Sequence, residues 1–195
     1  MQRRDVLTLT GLGVLGIVFP GDAFGEAAEP IVDIHQHLNY SGRTDDAFLA
    51  HQRTMGAAMT VLLPAGRAVV TASTHGGISN GLQAEALGNE PCLQFAQAHR
   101  GAFRFGANEV PDLPDATKEI ERYLRRGALI IAEQKFGVEC DLAAMQRIYA
   151  LAQDHRVPVL MHWQSDMYNY GFERFHTMLA RFPRVNFIGH AQTWW

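Results

Sequence analysis

The chain has 195 residues, of which 47% are hydrophobic and 19% are charged, and its formal net charge is -3 at pH 7. This balance describes an ordinary globular protein, and nothing in it favours a nucleic-acid partner or an anionic membrane surface. Nine histidines and eighteen glycines are the compositional outliers. Since histidine is the commonest protein ligand for zinc and related divalent ions, the composition gives modest support to a metal site.

Residues 1–27 have the pattern of an export signal. Arg3 and Arg4 precede an uncharged apolar run over residues 6–19, and small residues suited to cleavage follow. The run is shorter than the roughly 20 residues that cross a bilayer, so no stable membrane anchor is expected. The arginine pair resembles a twin-arginine signal, and an ordinary secretory signal is the alternative. We therefore expect an exported bacterial protein, periplasmic or extracellular, whose folded domain covers residues 28–195.

From residue 31 onward, short apolar segments alternate with longer amphipathic ones. The short segments predict β-strands near residues 31–38, 58–63, 103–108, 128–135, 157–163 and 185–190. The longer segments predict helices over residues 44–55, 82–98, 115–126, 141–155 and 171–182. Strands that alternate with helices in this way predict right-handed βα units and a parallel sheet.

Two α/β architectures fit this pattern, an open doubly wound sheet and a barrel. A doubly wound nucleotide-binding protein has a glycine-rich turn after its first strand, and residues 37–42 lack that turn. A barrel carries its chemistry at the carboxyl ends of its strands, which is where several histidines fall. We therefore predict a (βα)8 TIM barrel. A complete barrel needs about 250 residues, so we expect this one to be truncated after the sixth strand.

Histidine closes three of the predicted strands. The first strand carries Asp33, His35 and His37 at alternate positions, so the three side chains share one face and both imidazoles can bind one metal ion. His162 and His190 end the fifth and sixth strands. Three neutral imidazoles leave one coordination position for water, whose pKa a zinc ion lowers to about 7. Asp33 either orients an imidazole or is a buried structural carboxylate.

These residues together resemble the amidohydrolase superfamily, and in particular its aminocarboxymuconate-semialdehyde decarboxylase-like branch. The resemblance implies that His35, His37 and His162 bind one divalent ion, with zinc as the expected ion. It implies that His190 either completes a second metal position or acts in acid/base chemistry. It also implies an aspartate ligand on an eighth strand, which the expected truncation would remove.

The fourth predicted strand holds two further candidates, Glu133 and Lys135, which share a face. In binuclear members of the superfamily, a glutamate or a carbamylated lysine at this strand bridges two metals. In mononuclear members, a residue here contacts the substrate instead. We favour one metal, with Glu133 or Lys135 near the substrate and His190 as a further catalytic candidate. An ion pair or a solvated strand end is the alternative for the fourth strand.

The leading functional hypothesis is a metal-dependent hydrolase of a small organic ester, lactone or amide. A nonoxidative decarboxylase on the same fold and an inactive metal-binding fragment are the alternatives. The expected partner is a small-molecule substrate, and self-association into a homo-oligomer is left open. Aromatic residues near the fifth strand and the end of the chain, Trp163, Tyr168, Tyr170 and Trp194 among them, are a candidate wall for an unsaturated substrate.

Overall fold

The computed structural model describes residues 29–69 and 85–194. The strands within them are β1 (Ile31–Gln36), β2 (Ala57–Leu62), β3 (Phe103–Phe105), β4 (Ile131–Gln134), β5 (Val159–His162) and β6 (Phe187–His190). The α-helices are α1 (Asp45–Thr54), α2 (Asn89–Ala98), α3 (Ala116–Leu124), α4 (Ala143–His155) and α5 (Phe175–Arg181). Residues 1–27 lie outside the described residues, so the export signal and the domain boundary at residue 28 stay predictions.

All the described strands run parallel, and within each sheet every strand pairs with its predecessor in the chain. They form two three-stranded sheets, β1-β2-β3 and β4-β5-β6. The sheets meet at Ala107, whose N–H donates to the carbonyl of Ile130 (2.8 Å) and whose carbonyl accepts from the N–H of Ala132 (3.0 Å). Sequential parallel strands joined by helices are the arrangement from which a barrel is wound.

Local sequence signals account for two of the helices, an N-cap at α1 and an apolar stripe on α3. Thr44 precedes α1, and its hydroxyl accepts a hydrogen bond from the N–H of Ala47 (3.3 Å), which is the usual N-cap contact. On α3, Ile120, Tyr123 and Leu124 are buried, while the intervening charged residues are not. Within the described residues, no helix is long and apolar enough to cross a membrane.

The predicted start of the second helix at residue 82 is wrong, since α2 begins at Asn89. The main chain just before α2 makes hydrogen bonds to distant segments instead of helical ones. The Leu87 N–H donates to the carbonyl of Leu38 (3.0 Å), and the Leu87 carbonyl accepts from the N–H of Ala65 (2.9 Å). These bonds hold the segment extended beside the carboxyl ends of β1 and β2, and they cannot form within a helix.

Alternating strand residues pack on the two faces of the sheets. One face forms a small cluster of Val61, Leu63, Ile130, Ala132 and Leu160, against which Ile188 packs. The other face joins the helices in a larger cluster that includes Leu62, Ile131, Val159, Met161, Cys92 and Ile148. His162 follows Leu160 by two positions and His190 follows Ile188 by two, so both histidines lie on the side of the small cluster, at the ends of their strands.

Candidate metal centre

Side chains from four strands converge on one cavity of about 340 Å³. Its lining includes His35 and His37 from the region of β1, Glu133 from β4, His162 from β5 and His190 from β6. The carboxyl ends of parallel strands meet at one edge of a barrel, and for this reason residues far apart in sequence come together there. All the histidines that the sequence singled out at strand ends therefore lie in one place.

Glu133 lies at the centre of these histidines and is 3% exposed. Its Oε2 lies 3.5 Å from the Nε2 of His35 and 3.4 Å from the Nε2 of His37. Its Oε1 lies 2.6 Å from the Nδ1 of His162 and 3.7 Å from the Nε2 of His190. Each carboxylate oxygen thus faces its own pair of imidazoles.

An irregularity in β4 accounts for the direction of the Glu133 side chain. Between the paired positions Ile131↔Val159 and Gln134↔Met161, β4 advances three residues while β5 advances two. Ala132 packs in the small cluster on the inner face, and the next residue, Glu133, contacts the histidines instead of turning to the opposite face. A bulge of this kind commonly re-aims a side chain beside a functional site.

The charge state of the cluster follows from burial and hydrogen bonding. Burial acts to raise the pKa of Glu133, but hydrogen bonds with His162, His35 and His37 outweigh it and hold the pKa well below its usual range. Burial, followed by the proximity of His35, lowers the pKa of His190 to about 4. At neutral pH the centre therefore holds a carboxylate and a neutral His190.

Second hydrogen bonds orient two of the imidazoles. The Nδ1 of His37 lies 2.7 Å from the carbonyl oxygen of Leu63, and since a carbonyl only accepts, Nδ1 carries the proton. The Nε2 of His162 lies 3.1 Å from the Oε1 of Gln164. Asp33 does not orient an imidazole. Its oxygens accept from the main-chain N–H of His35 (3.1 Å) and from the side-chain amides of Gln36 (2.8 Å) and Gln52 (3.1 Å). These contacts are those of a structural carboxylate, but Asp33 is half-buried rather than buried, and two of its three donors are side chains.

The donor set fits a divalent cation. With the His37 proton on Nδ1, the Nε2 lone pair faces the anionic Oε2 of Glu133, so either a second proton or a cation must lie between the two atoms. Among the described residues, the donor atoms of His35, Glu133 and His190 lie within 4.8 Å of one another, close enough to share one ion. This set differs from the predicted ligands His35, His37 and His162, because it contains His190 and Glu133 in place of His37 and His162. Imidazole nitrogens with one carboxylate are typical ligands of zinc and of related divalent ions.

Lys135 also lines the cavity, but it does not take part in the histidine cluster. Its Nζ lies 5.0 Å from the centre of the Tyr168 ring, and burial lowers the pKa of its ammonium group. Tyr168 in turn contacts the His162 ring edge to face, at 5.4 Å between centroids. Of the two fourth-strand candidates, Glu133 therefore meets the candidate ligands and Lys135 meets the open cavity.

Three lining residues were missed in the sequence, Gln36, Tyr40 and Arg43. The Tyr40 ring stacks on His37 at 5.6 Å, and the Arg43 guanidinium donates to the carbonyl of His37 (3.0 Å). Both follow a predicted strand end by a few residues, which is the only signal that could have marked them. The proposed aromatic wall is wrong for Trp163, which is 1% exposed and packs on Phe175 in the core.

Comparison with solved structures gives the same fold. The chain matches an uncharacterized TIM-barrel protein from Bordetella bronchiseptica (TM-score 0.61, 14% identity, 82% of this chain and 66% of that one). It matches a 2,6-dihydroxybenzoate decarboxylase from Rhizobium (0.58, 13%, 82% and 65%) and a candidate amidohydrolase from Staphylococcus aureus (0.55, 14%, 82% and 66%). The predicted barrel fold is thereby confirmed, and the chain spans just under two thirds of the length of each structure. No family model and no curated protein matches the sequence.

Proposed function

We propose that this chain is a member of the amidohydrolase superfamily and a metal-dependent hydrolase of a small organic ester, lactone or amide. The observation that carries the proposal is the buried Glu133 carboxylate, which lies within 3.7 Å of a ring nitrogen of each of four strand-end histidines. Such a cluster at the carboxyl edge of a barrel is where enzymes of this fold carry their chemistry. The likeness in fold to a candidate amidohydrolase supports the same proposal.

In this proposal His35, His37 and His162 bind the ion, which we propose to be zinc, and Glu133 joins them as a further ligand. When bound, such an ion lowers the pKa of water and polarises a carbonyl group. His190, in the same cavity, moves a proton between water and the leaving group at its Nε2. Lys135 and Arg43 hold an anionic or carbonyl group of the substrate in the open part of the cavity.

The number of ions is a second point of the proposal. One ion on His35, His37 and His162 is the arrangement expected from the sequence. The division of Glu133 between two pairs of imidazoles supports a second arrangement, in which His35 and His37 would hold one ion and His162 and His190 another, with Glu133 contributing to both. Measured stoichiometry distinguishes one ion per chain from two.

A nonoxidative decarboxylase is the second candidate function. The observation that favours it is the pair of cationic side chains, Lys135 and Arg43, that line the cavity beside the histidines. Two cations suit a substrate that carries a carboxylate. The likeness in fold to a 2,6-dihydroxybenzoate decarboxylase supports this alternative as well.

Metal analysis tests the proposal shared by both candidates. The purified chain, dialysed against zinc or manganese and then against buffer, is expected to retain one or two ions per molecule. The variant H35A/H37A/H162A should retain none. H51A/H176A, which removes two exposed histidines on helices, is the matched control and should retain the wild-type content. Retention of the ion by the triple variant would defeat the proposal.

Product analysis separates the two reactions. The metal-loaded protein is assayed on lactones and esters with a pH-stat, and on hydroxylated aromatic carboxylic acids with carbon dioxide detection. Hydrolysis without carbon dioxide release supports the hydrolase. Carbon dioxide release without hydrolysis of lactones or esters supports the decarboxylase. In either case Lys135→Met should raise KM for carboxylated substrates more than for neutral ones.

Export of the protein is a further proposal, supported by the pattern of residues 1–27 alone. Fractionation of bacteria that express the whole chain is expected to place it in the periplasm or the medium. Replacement of Arg3 and Arg4 by lysine should retain it in the cytoplasm if the route is the twin-arginine one.

The proposed partner is a small molecule, and sedimentation of the purified chain will show whether it self-associates.

A further inference from the structure

Buried amide side chains donate to main-chain carbonyls at the carboxyl ends of β4 and β5, beside the bulge in β4. Asn169 is 3% exposed, and its Nδ2 donates to the carbonyl of Gln134 and to the carbonyl of His162, both at 2.6 Å. Asn108, also 3% exposed, donates from its Nδ2 to the carbonyl of Glu133 at 2.8 Å. The main chain that carries the two central residues of the site is therefore bound by buried side chains as well as by the neighbouring strands.

Asn169 is the residue that connects the two strands at this point. One N–H bond ends on β4, one position after Glu133, and the other ends on β5, on His162 itself. Because the two acceptors are both carbonyls, the amide can present only its nitrogen to them. The side chains of Glu133 and His162, carried by the two strands that Asn169 joins, meet at 2.6 Å.

The loop after β5 is shaped to deliver this amide. Gln164 and Tyr168 pair in a short antiparallel turn, after which Asn169 takes the left-handed conformation (φ 51°), which asparagine tolerates better than most residues. Its own N–H donates to the carbonyl of Phe136 at 2.8 Å, which ties it to the chain beyond β4. Backbone and side chain of Asn169 thus hold the same junction.

We propose that Asn169 is a positioning residue that sets the separation of Glu133 and His162 by clamping the carboxyl ends of β4 and β5. It acts through the two residues and not on the substrate. This inference rests on the proposed function, since it assigns Asn169 to the precision of the metal site. Residues that orient metal ligands typically contribute a factor of 10 to 100 in metal affinity.

The test compares metal affinity in variants that remove hydrogen bonds of side-chain amides. Asn169→Gly removes both bonds and accepts the left-handed backbone. Gln146→Ala is the matched control: the Nε2 of Gln146, on α4, donates to the Asp141 carbonyl (2.7 Å), and neither residue lines the cavity or contacts one of the candidate ligands. Zinc affinity is measured by competition with a chelator, and the cobalt-loaded proteins are compared by their visible absorption spectra.

Asn169→Gly is expected to bind zinc roughly 10- to 100-fold more weakly than wild type and to change the cobalt spectrum. Gln146→Ala should lose stability while it keeps the affinity within about twofold and the wild-type spectrum. Asn169→Asp, which keeps the shape but presents no N–H when ionised, serves if the glycine variant does not fold.

The outcomes are distinct for the two claims. A wild-type chain that binds no zinc or cobalt defeats the proposed function. A wild type that binds both, together with a folded Asn169→Gly or Asn169→Asp variant of unchanged affinity and spectrum, overturns the positioning role alone.

Discussion

At the scale of single residues, the most informative contact is the one between Glu133 and the histidines around it. A carboxylate that is 3% exposed needs compensation for the loss of water, and four imidazoles supply part of it. The Nδ1–H of His37 donates to the carbonyl of Leu63, so a second proton or a cation must lie between the Nε2 of His37 and Glu133. In the proposed function a divalent ion takes this position, which is why we assign Glu133 to the metal and Lys135 to the open cavity.

Replacement of Glu133 by glutamine tests this assignment. The amide keeps the shape but removes the negative charge that attracts a divalent ion, so zinc affinity should fall by at least about 100-fold, more than for residues that only orient ligands. Isothermal titration of the metal-free protein measures the change. Glu109→Gln is the control, because Glu109 is equally buried and its carboxylate accepts from Arg67 and Val110 instead. Equal affinity of wild type and Glu133→Gln would contradict the assignment.

At the scale of elements, the junction between the two three-stranded sheets determines whether the six strands follow one another around a barrel. Gly106 donates its N–H to the carbonyl of Leu62 (2.8 Å), directly before the Ala107 contacts that join β4. A Cβ at Gly106 would lie 2.9 Å from both the Cγ2 and the carbonyl oxygen of Ile130. Glycine is required here by the close approach of main chain to main chain, and the same approach brings Glu133 to the edge where His35 and His37 end.

Gly106→Ala should therefore destabilise the protein by about 1 to 3 kcal/mol, the usual effect of overpacking a close contact. Urea unfolding followed by circular dichroism measures the free energy of unfolding. Gly101→Ala is the control, since a Cβ there meets nothing within 4 Å. A loss at Gly106 no greater than the loss at Gly101 would show that the junction tolerates the extra atom.

Helices α2 and α3 are connected by an acidic side chain. Glu90 accepts from the Arg126 guanidinium (2.6 Å) and from the Tyr123 hydroxyl (3.0 Å), and these bonds, that of Arg126 first, lower the pKa of Glu90 from 4.5 to about 2. A carboxylate with a lowered pKa in the folded state stabilises the protein above its unfolded pKa, and this contribution is lost as the pH falls towards the folded value.

Glu90→Gln should therefore be less stable than wild type at neutral pH, and the difference should shrink as the pH falls from about 4.5 to about 2. Urea midpoints of the metal-free proteins across this range provide the measurement, so that loss of a metal in acid does not contribute. High salt should reduce the difference as well, because the pair is exposed. A difference that stays constant with pH would mean that the ion pair does not stabilise the fold.

At the scale of the whole molecule, one site collects residues from β1, β4, β5 and β6, so an ion bound there cross-links elements that are distant in the chain. Ligands that bind the folded state alone stabilise it by mass action. A free zinc concentration 100 times Kd should add about 2.7 kcal/mol, which for a chain of this size raises Tm by roughly 5 to 10 °C.

Thermal unfolding with and without a chelator measures this effect. The H35A/H37A/H162A variant should show the same Tm in both conditions, which separates binding at the centre from binding elsewhere. An equal rise of Tm in the variant would place the ion outside the centre.

The sequence by itself determined the order of the elements and the histidines of the site. Alternating apolar periodicities predicted each strand and helix, since burial of one face is a local requirement. His35 and His37, two residues apart on one strand, and His162 and His190, at the ends of later strands, needed only the rule that parallel strands end at one edge.

Only the tertiary structure decided the part played by the fourth strand and its neighbours. The bulge that turns Glu133 inward depends on the register between β4 and β5, and register is a property of two strands rather than of one. The clamp by Asn169, the core position of Trp163 and the contacts of Asp33 are likewise set by packing between distant segments. The sequence could therefore identify Glu133 and Lys135 as a pair of candidates, but the geometry that separates them exists only when both strands are in place.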